Sequence, residues 1–232
     1  MGTLVVTEKS PNRRFKEAIY EQFARIGKAL SSPCRLELLD LLCQGPRTVE
    51  ILAGEAGLSV ANTSQHLRAL RIARLVEASK EGQFVTYSLA DEAVGEFFHT
   101  LRQLAERRLT EIEQLVQQYL AQRERFEPVD QEQLLSQVRK GAVVALDVRP
   151  PEEYRAGHIP GALSVPLEEL EQRLARLAKN KTIVAYCRGP YCVLAIEVVE
   201  LLWRKGFKAL RLEDSVQDWR RRGFRVFVGE QP

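Results

Sequence analysis

A chain of 232 residues has room for two domains of ordinary size. Hydrophobic residues make up 45% of it, enough for a core in each, and a net charge of +3 does not by itself point to nucleic acid. No apolar run reaches the ~18 residues that span a bilayer, and MGTLVVTEKSPNRRF lacks a basic segment followed by an apolar one. The expected setting is the cytoplasm with no membrane partner, where four cysteines are reduced by default and any pairing is transient and functional.

The first predicted helix carries Phe15, Ile19, Phe23, Ile26 and Leu30 on one face. Ser31-Ser32-Pro33 then supplies a cap and a proline at the first helical position, where its missing N–H does no harm. The helix it opens runs through Leu36, Leu38, Leu39, Leu41 and Leu42 to Gly45-Pro46. Thr48 is placed to cap a short helix ended by Gly57, and Ser59 to cap the next, SVANTSQHLRALRIARL. Two short capped helices joined by a tight turn have the layout of a helix-turn-helix. LVEAS and FVTYSL follow as the strands of a hairpin with its tip at Glu81-Gly82. One long helix is expected after Asp91, with Phe97, Leu101, Leu104, Leu109, Ile112, Leu115 and Tyr119 at near-heptad spacing. Such a stripe usually finds a partner helix, which makes it and the first helix a candidate dimer interface. Packing onto the rest of the chain is the alternative.

Residues 123–130 are polar and include Pro128, and read as a linker between domains at 1–122 and 131–232. Beyond it, a short helix (131–140) precedes the buried-strand run AVVALDV. TIVAYC is a second such run, followed at once by a helix from about Val193 to Lys205, and KALRL is a third. Strands alternating with helices imply an α/β domain with a parallel sheet. The chain is therefore expected to be multidomain, mainly α with a β-hairpin in front and α/β behind.

On the helix after Ser59, Val60, Thr63, Leu67 and Leu70 recur at core spacing, while Asn62, Ser64, Gln65, His66 and Arg68 fall off that stripe. Asn and Gln can pair bidentately with adenine, and Arg with guanine or phosphate. A solvated basic face is the alternative. The stretch from Leu30 to Leu89, above all SQHLRALRIARLV and the hairpin after it, resembles the ArsR-type winged-helix repressors. The resemblance implies that Asn62, Thr63, Ser64, Gln65, His66 and Arg68 lie along a DNA-contacting segment. It also implies that Lys80 and Gln83 on the wing approach phosphates, and that a homodimer binds a near-palindromic operator in double-stranded DNA. Many members sense metals through a cysteine pair before the recognition helix, but TVEILAG has none. Cys34 and Cys43 lie about 180° apart on one helix, and His99 has no second histidine nearby in sequence. No metal and no cofactor are expected.

The signal is expected instead from TIVAYCRGPYCVLAIEVV. A buried strand runs into a tight loop, Cys187-Arg188-Gly189-Pro190-Tyr191-Cys192, and a helix starts at Val193. Inward backbone N–H groups and the positive end of the helix favour a thiolate at Cys187, the nucleophilic form, and Arg188 adds a charge. LDVRPPEEY, AGHIPGA and this loop, in that order, resemble the single-domain rhodaneses over roughly residues 129–232. The resemblance implies that Cys187 accepts sulfane sulfur from thiosulfate, polysulfide or a persulfide, and that Asp147, Arg149 and His158 organise the loop's surroundings. Asp214-Ser215 stands where the family usually has a glycine pair, which implies altered packing near the loop. Cys192 closes the loop and can attack a modified Cys187 to form a disulfide, or it can simply pack at the helix start. The expected function is a sulfur- or oxidant-responsive transcriptional regulator, a repressor in sense. A sulfurtransferase enzyme and an arsenic- or metal-responsive repressor are the alternatives.

Overall fold

The computed structural model describes residues 10–121, 134, 136–138 and 140–230. It divides into two compact units, Met1–Leu101 and Arg102–Pro232. The linker expected at 123–130 lies outside the described residues.

In the first unit, α1 (Pro11–Leu30) is capped by Ser10 and opens on proline. Only Ala29 is buried on it, with Ile26 and Leu30 packed against the core. Pro33 starts α2 (Pro33–Cys43), whose Leu38, Leu39, Leu41 and Leu42 are buried. A two-residue strand β1 (Arg47–Thr48) leads into α3 (Val49–Glu55), where the Thr48 hydroxyl accepts from the Ile51 amide. After the turn at Gly57, whose φ of 63° suits glycine, Ser59 accepts from Asn62 N and opens α4 (Val60–Ile72). Replacing Ser59 with alanine is expected to lower stability by about 1 kcal/mol, checked by thermal denaturation.

Helix α4 ends where Arg74 adopts φ 61° and Leu75 N bonds back to Leu70 O. This closing turn normally takes glycine. Strands β2 (Val76–Glu81) and β3 (Phe84–Leu89) form an antiparallel hairpin, and β1 adds to β3 in the order β1-β3-β2. Glu81 pairs with Phe84, so the tip is Gly82-Gln83, one residue later than the sequence suggested, with the positive φ falling on Gly82. Leu39, Leu52, Leu67 and Leu70 form the centre of this unit's core.

The long helix expected after Asp91 is two helices, α5 (Glu92–Arg108) and α6 (Thr110–Ala121). Asp91 caps α5 through the Val94 amide. The break at Leu109 has matched charges on both sides. Arg107 and Arg108 sit at the negative end of α5, and Glu111 and Glu113 at the positive start of α6.

The second unit begins at Arg102, so it includes the last turns of α5. Its centre is a four-stranded parallel sheet in the order β5-β4-β6-β7, made of β4 (Val143–Asp147), β5 (Leu163–Ser164), β6 (Thr182–Tyr186) and β7 (Ala209–Arg211). The helices are α7 (Pro151–Ala156), α8 (Leu167–Arg173), α9 (Val193–Arg204) and α10 (Val216–Arg221). Alternation along β6 sends Ile183, Ala185 and Cys187 into one core with α8 and α9, and Val184 and Tyr186 into the other with Tyr154 and Trp219. Cys187 thus stands on the α9 side of the sheet because of its place in a period of two. No helix among the described residues is long and apolar enough to cross a membrane.

Candidate functional site: the α4 face and the cysteine loop

Helix α4 presents Asn62, Gln65 and Arg68 to solvent, with Ser64 and His66 half-buried. Lys80 and Gln83 are exposed near the end of the hairpin. Thr63 corrects its sequence assignment to the DNA-contacting segment. It is 0% exposed, and its hydroxyl donates to Ser59 O at 3.0 Å, so it locks the first turn of the helix and presents nothing to a groove. Val60, expected in the core, is instead exposed. Cys34 and Cys43 are both on α2, half-buried and outside any disulfide. Among the described residues, no group of three or more His, Cys, Asp or Glu is placed to hold a metal ion.

In the loop after β6, Cys187 and Cys192 are joined in a disulfide. Cys187 is 1% exposed, whereas Tyr191 and Val193 are exposed. Gly189 has φ 129°, a region that favours glycine, and a Cβ there would lie 3.6 Å from Arg102 and 3.7 Å from Ser215. Cys192 N donates to Gly189 O at 3.2 Å, and α9 starts at the next residue. Pro190 O accepts from Arg211 Nη1 at 3.0 Å. Arg211 is a buried cation on β7 whose affinity for its proton is lowered by burial, with the nearby Glu213 opposing.

Arg188 does not supply the free positive charge expected of it. Its Nη2 and Nε bond Glu153 at 2.6 and 3.0 Å, and Glu153 is buried. The pair largely neutralises itself, so the polar influences on the loop come from backbone dipoles, the start of α9 and the Arg211 guanidinium on Pro190 O.

At the end of β4, Asp147 takes Arg149 in a two-pronged bond, Nε to Oδ1 at 2.9 Å and Nη2 to Oδ2 at 2.7 Å. Arg149 Nη2 also donates to Gly157 O. Burial works against the guanidinium charge, and Asp147 more than restores it, raising the pKa. His158 is 0% exposed, stacks on Tyr154 at 3.7 Å, and faces Tyr154 O through Nδ1 at 2.8 Å. Asp147, Arg149 and His158 are buried, and Arg149 Nη1 lies 3.8 Å from Glu153, the carboxylate that holds Arg188 of the loop.

Burial lowers the His158 pKa, with the Tyr154 carbonyl and Asp147 opposing and Arg149 assisting. The native state therefore binds fewer protons than the unfolded chain between the lowered value and the ordinary ~6.5. The stability it contributes is complete above about 6.5 and shrinks as pH falls through that value. His158→Gln is expected to flatten the loss of Tm on acidification from about pH 7.5 to about 5.5, read by calorimetry.

Several contacts were not anticipated from sequence. Glu153 lies in the first turn of α7, and Arg211 lies within the apolar run KALRL. Tyr191 Oη donates to Glu106 Oε1 at 2.8 Å, and Arg102 Nη2 donates to Asp218 Oδ1 at 3.1 Å. Asp218 also closes a capping box with Ser215 at the start of α10. Ser215, in place of the expected glycine, thus earns a structural role and packs beside Gly189.

Comparison with known proteins matches residues 32–78 to the bacterial regulatory protein, arsR family, and residues 130–222 to the rhodanese-like domain. The HTH-type transcriptional regulator Rv0324 of Mycobacterium tuberculosis is 41% identical over 214 residues, covering 92% of this chain and 94% of that protein. The HTH-type transcriptional regulator YgaV of Escherichia coli is 39% identical over 90 residues, 37% of this chain and 88% of its own. A solution NMR structure of the homodimeric winged helix-turn-helix DNA-binding domain (fragment 1–100) of Mb0332 from Mycobacterium bovis is 38% identical. It covers 45% of this chain and 94% of its own, with a TM-score of 0.40. With a relative alike along nearly its whole length and both modules matched in order, the chain belongs to the ArsR family of DNA-binding transcriptional regulators, in a form that carries a rhodanese domain behind the winged helix.

Proposed function

We propose that this regulator binds its operator as a homodimer and changes its affinity when sulfane sulfur or an oxidant reaches Cys187. The observation that carries the reading is the pairing of Cys187 with Cys192 across one six-residue loop at the start of a helix. The Cys187 thiolate attacks the outer sulfur of thiosulfate, the S–S bond breaks, and sulfite leaves with the electron pair. A polysulfide or low-molecular-weight persulfide reacts in the same way, releasing the shortened sulfur chain or the thiol. The Cys192 thiol then attacks Cys187 in the persulfide, giving the disulfide and hydrogen sulfide. An oxidant that converts Cys187 to a sulfenic acid leads to the same disulfide with loss of water. A cytoplasmic setting resets the loop by thiol exchange.

On the DNA side, Asn62, Ser64, Gln65, His66 and Arg68 are the proposed groove-facing residues, with Lys80 and Gln83 against phosphates. Dimerisation is supported by apolar side chains left in the open. Phe15, Ile19, Tyr20 and Phe23 on α1, and Leu115 and Tyr119 on α6, are 40–68% exposed. Gln65→Ala and Arg68→Ala are each expected to weaken operator binding by about 1–3 kcal/mol, or roughly 5- to 150-fold, measured at fixed salt.

The deciding experiment is a footprint on the protein's own upstream DNA with and without polysulfide. A footprint that changes with polysulfide in wild type and not in Cys187→Ser supports the reading. Sustained thiosulfate:cyanide turnover without operator binding would replace it with an enzyme. Release by arsenite or zinc, with no effect of polysulfide, would replace it with a metal-responsive repressor.

A further inference from the structure

We propose that the end of α5 reads the state of the cysteine loop, through the hydrogen bond from Tyr191 to Glu106. The inference rests on the regulatory reading above and names the element that receives its signal.

Tyr191 immediately precedes Cys192, so the Cys187–Cys192 bond constrains the backbone that carries it. Its hydroxyl is 2.8 Å from Glu106 Oε1. Burial and the Glu106 carboxylate both raise the Tyr191 pKa, so the phenol stays protonated and remains a donor. Glu106 is not isolated on its helix. Arg102, one turn earlier, has its Nε 3.5 Å away, and its Nη2 is bonded to Asp218 at the start of α10. The same guanidinium comes within 3.6 Å of where a Gly189 Cβ would be. Two side chains one turn apart on α5 therefore touch the loop at both Gly189 and Tyr191, and all of these residues belong to the unit Arg102–Pro232.

The coupling requires two arrangements of this contact, the one in the structure and one with Tyr191 withdrawn. With Tyr191 in place, Glu106 accepts from a phenol and faces Arg102. When the loop rearranges and Tyr191 withdraws, the carboxylate loses that donor and its balance with Arg102 shifts. Arg102 is shared with Asp218, so the shift is felt at the capping box of α10 as well. A two-state contact of this kind is what a coupling between chemistry and affinity needs, since a ligand shifts an equilibrium only through interactions that differ between its states.

The test uses the full chain. Hydrogen exchange of the α5 amides is compared between protein reduced with dithiothreitol and protein treated with polysulfide, and operator affinity is measured on the same samples. Glu106→Ala removes the acceptor, whereas Glu106→Gln keeps an acceptor oxygen. Wild type is expected to show a change in exchange over 102–108 and a shift in affinity of about 5- to 150-fold. Glu106→Ala should form the Cys187–Cys192 disulfide to the same extent by mass spectrometry, yet show a ratio of treated to untreated affinity near 1. Glu106→Gln should recover most of the shift. Full coupling in Glu106→Ala overturns the proposal, as does unchanged exchange over 102–108 in wild type. If exchange changes in wild type while affinity does not, the contact stands and the regulatory reading fails.

Discussion

Cys187→Ser is expected to abolish sulfur uptake and, with it, the whole response of operator affinity to polysulfide. Serine keeps the size of the side chain, so the loop and its neighbours retain their packing, but an alcohol is not ionised near neutral pH and cannot hold a sulfane sulfur. The expected result is no +32 Da adduct on the loop peptide and a ratio of treated to untreated affinity near 1, against about 5- to 150-fold in wild type. Cys192→Ser separates the two steps. Uptake at Cys187 should continue and the persulfide should accumulate, because the thiol that would expel hydrogen sulfide is gone. If Cys192→Ser instead gives the same mixture of adducts as wild type, Cys192 takes no part in the chemistry and serves only as packing at the start of α9.

The second large effect is on stability. Asp147 and Arg149 are 0% and 1% exposed and joined by two short hydrogen bonds. Asp147→Asn keeps the shape but removes the charge, so Arg149 is left as a buried cation without its main counter-charge. Breaking a buried pair from one side costs about 3–5 kcal/mol, which lowers Tm by roughly 10 °C or more for a domain of this size. The contrast is Glu169→Gln. Glu169 pairs with Arg173 at 2.6 Å, a shorter distance, but both side chains are more than 40% exposed. That change should cost less than about 1 kcal/mol. A melt in which both variants fall by the same amount would mean that burial does not set the value of these pairs.

Much of the fold was legible because local signals agreed with one another. Thr48 and Ser59 cap the helices they were expected to cap, and Leu67 and Leu70 are buried as their spacing required. TIVAYC is the buried strand it was expected to be, followed by the cysteine loop and a helix from Val193. The features that were missed depend on distance in space or on a locally disfavoured choice. Glu153 and Arg188 are 35 residues apart, and nothing in either segment announces the other. Arg211 in KALRL was hidden because an arginine in an apolar strand gives no hint of its target, the carbonyl of Pro190. The end of α4 was blurred because Arg74 occupies a backbone position where glycine is the usual marker. Thr63 was misassigned by grouping it with its polar neighbours, although its position on the stripe already pointed inward. The break at Leu109 was invisible because the apolar spacing continues across it.

The closed pair of Arg188 and Glu153 has one more consequence, for how the two halves of this molecule respond to electrolyte. Contacts from lysine and arginine to phosphates weaken steeply as salt is added, because bound counterions are released. A guanidinium already matched by a buried carboxylate, together with the fixed dipoles around the loop, is shielded from mobile ions. Raising the salt should therefore strip the protein from DNA while leaving the proposed thiol chemistry almost untouched, so that step can be timed by itself, in solution, without cutting the chain.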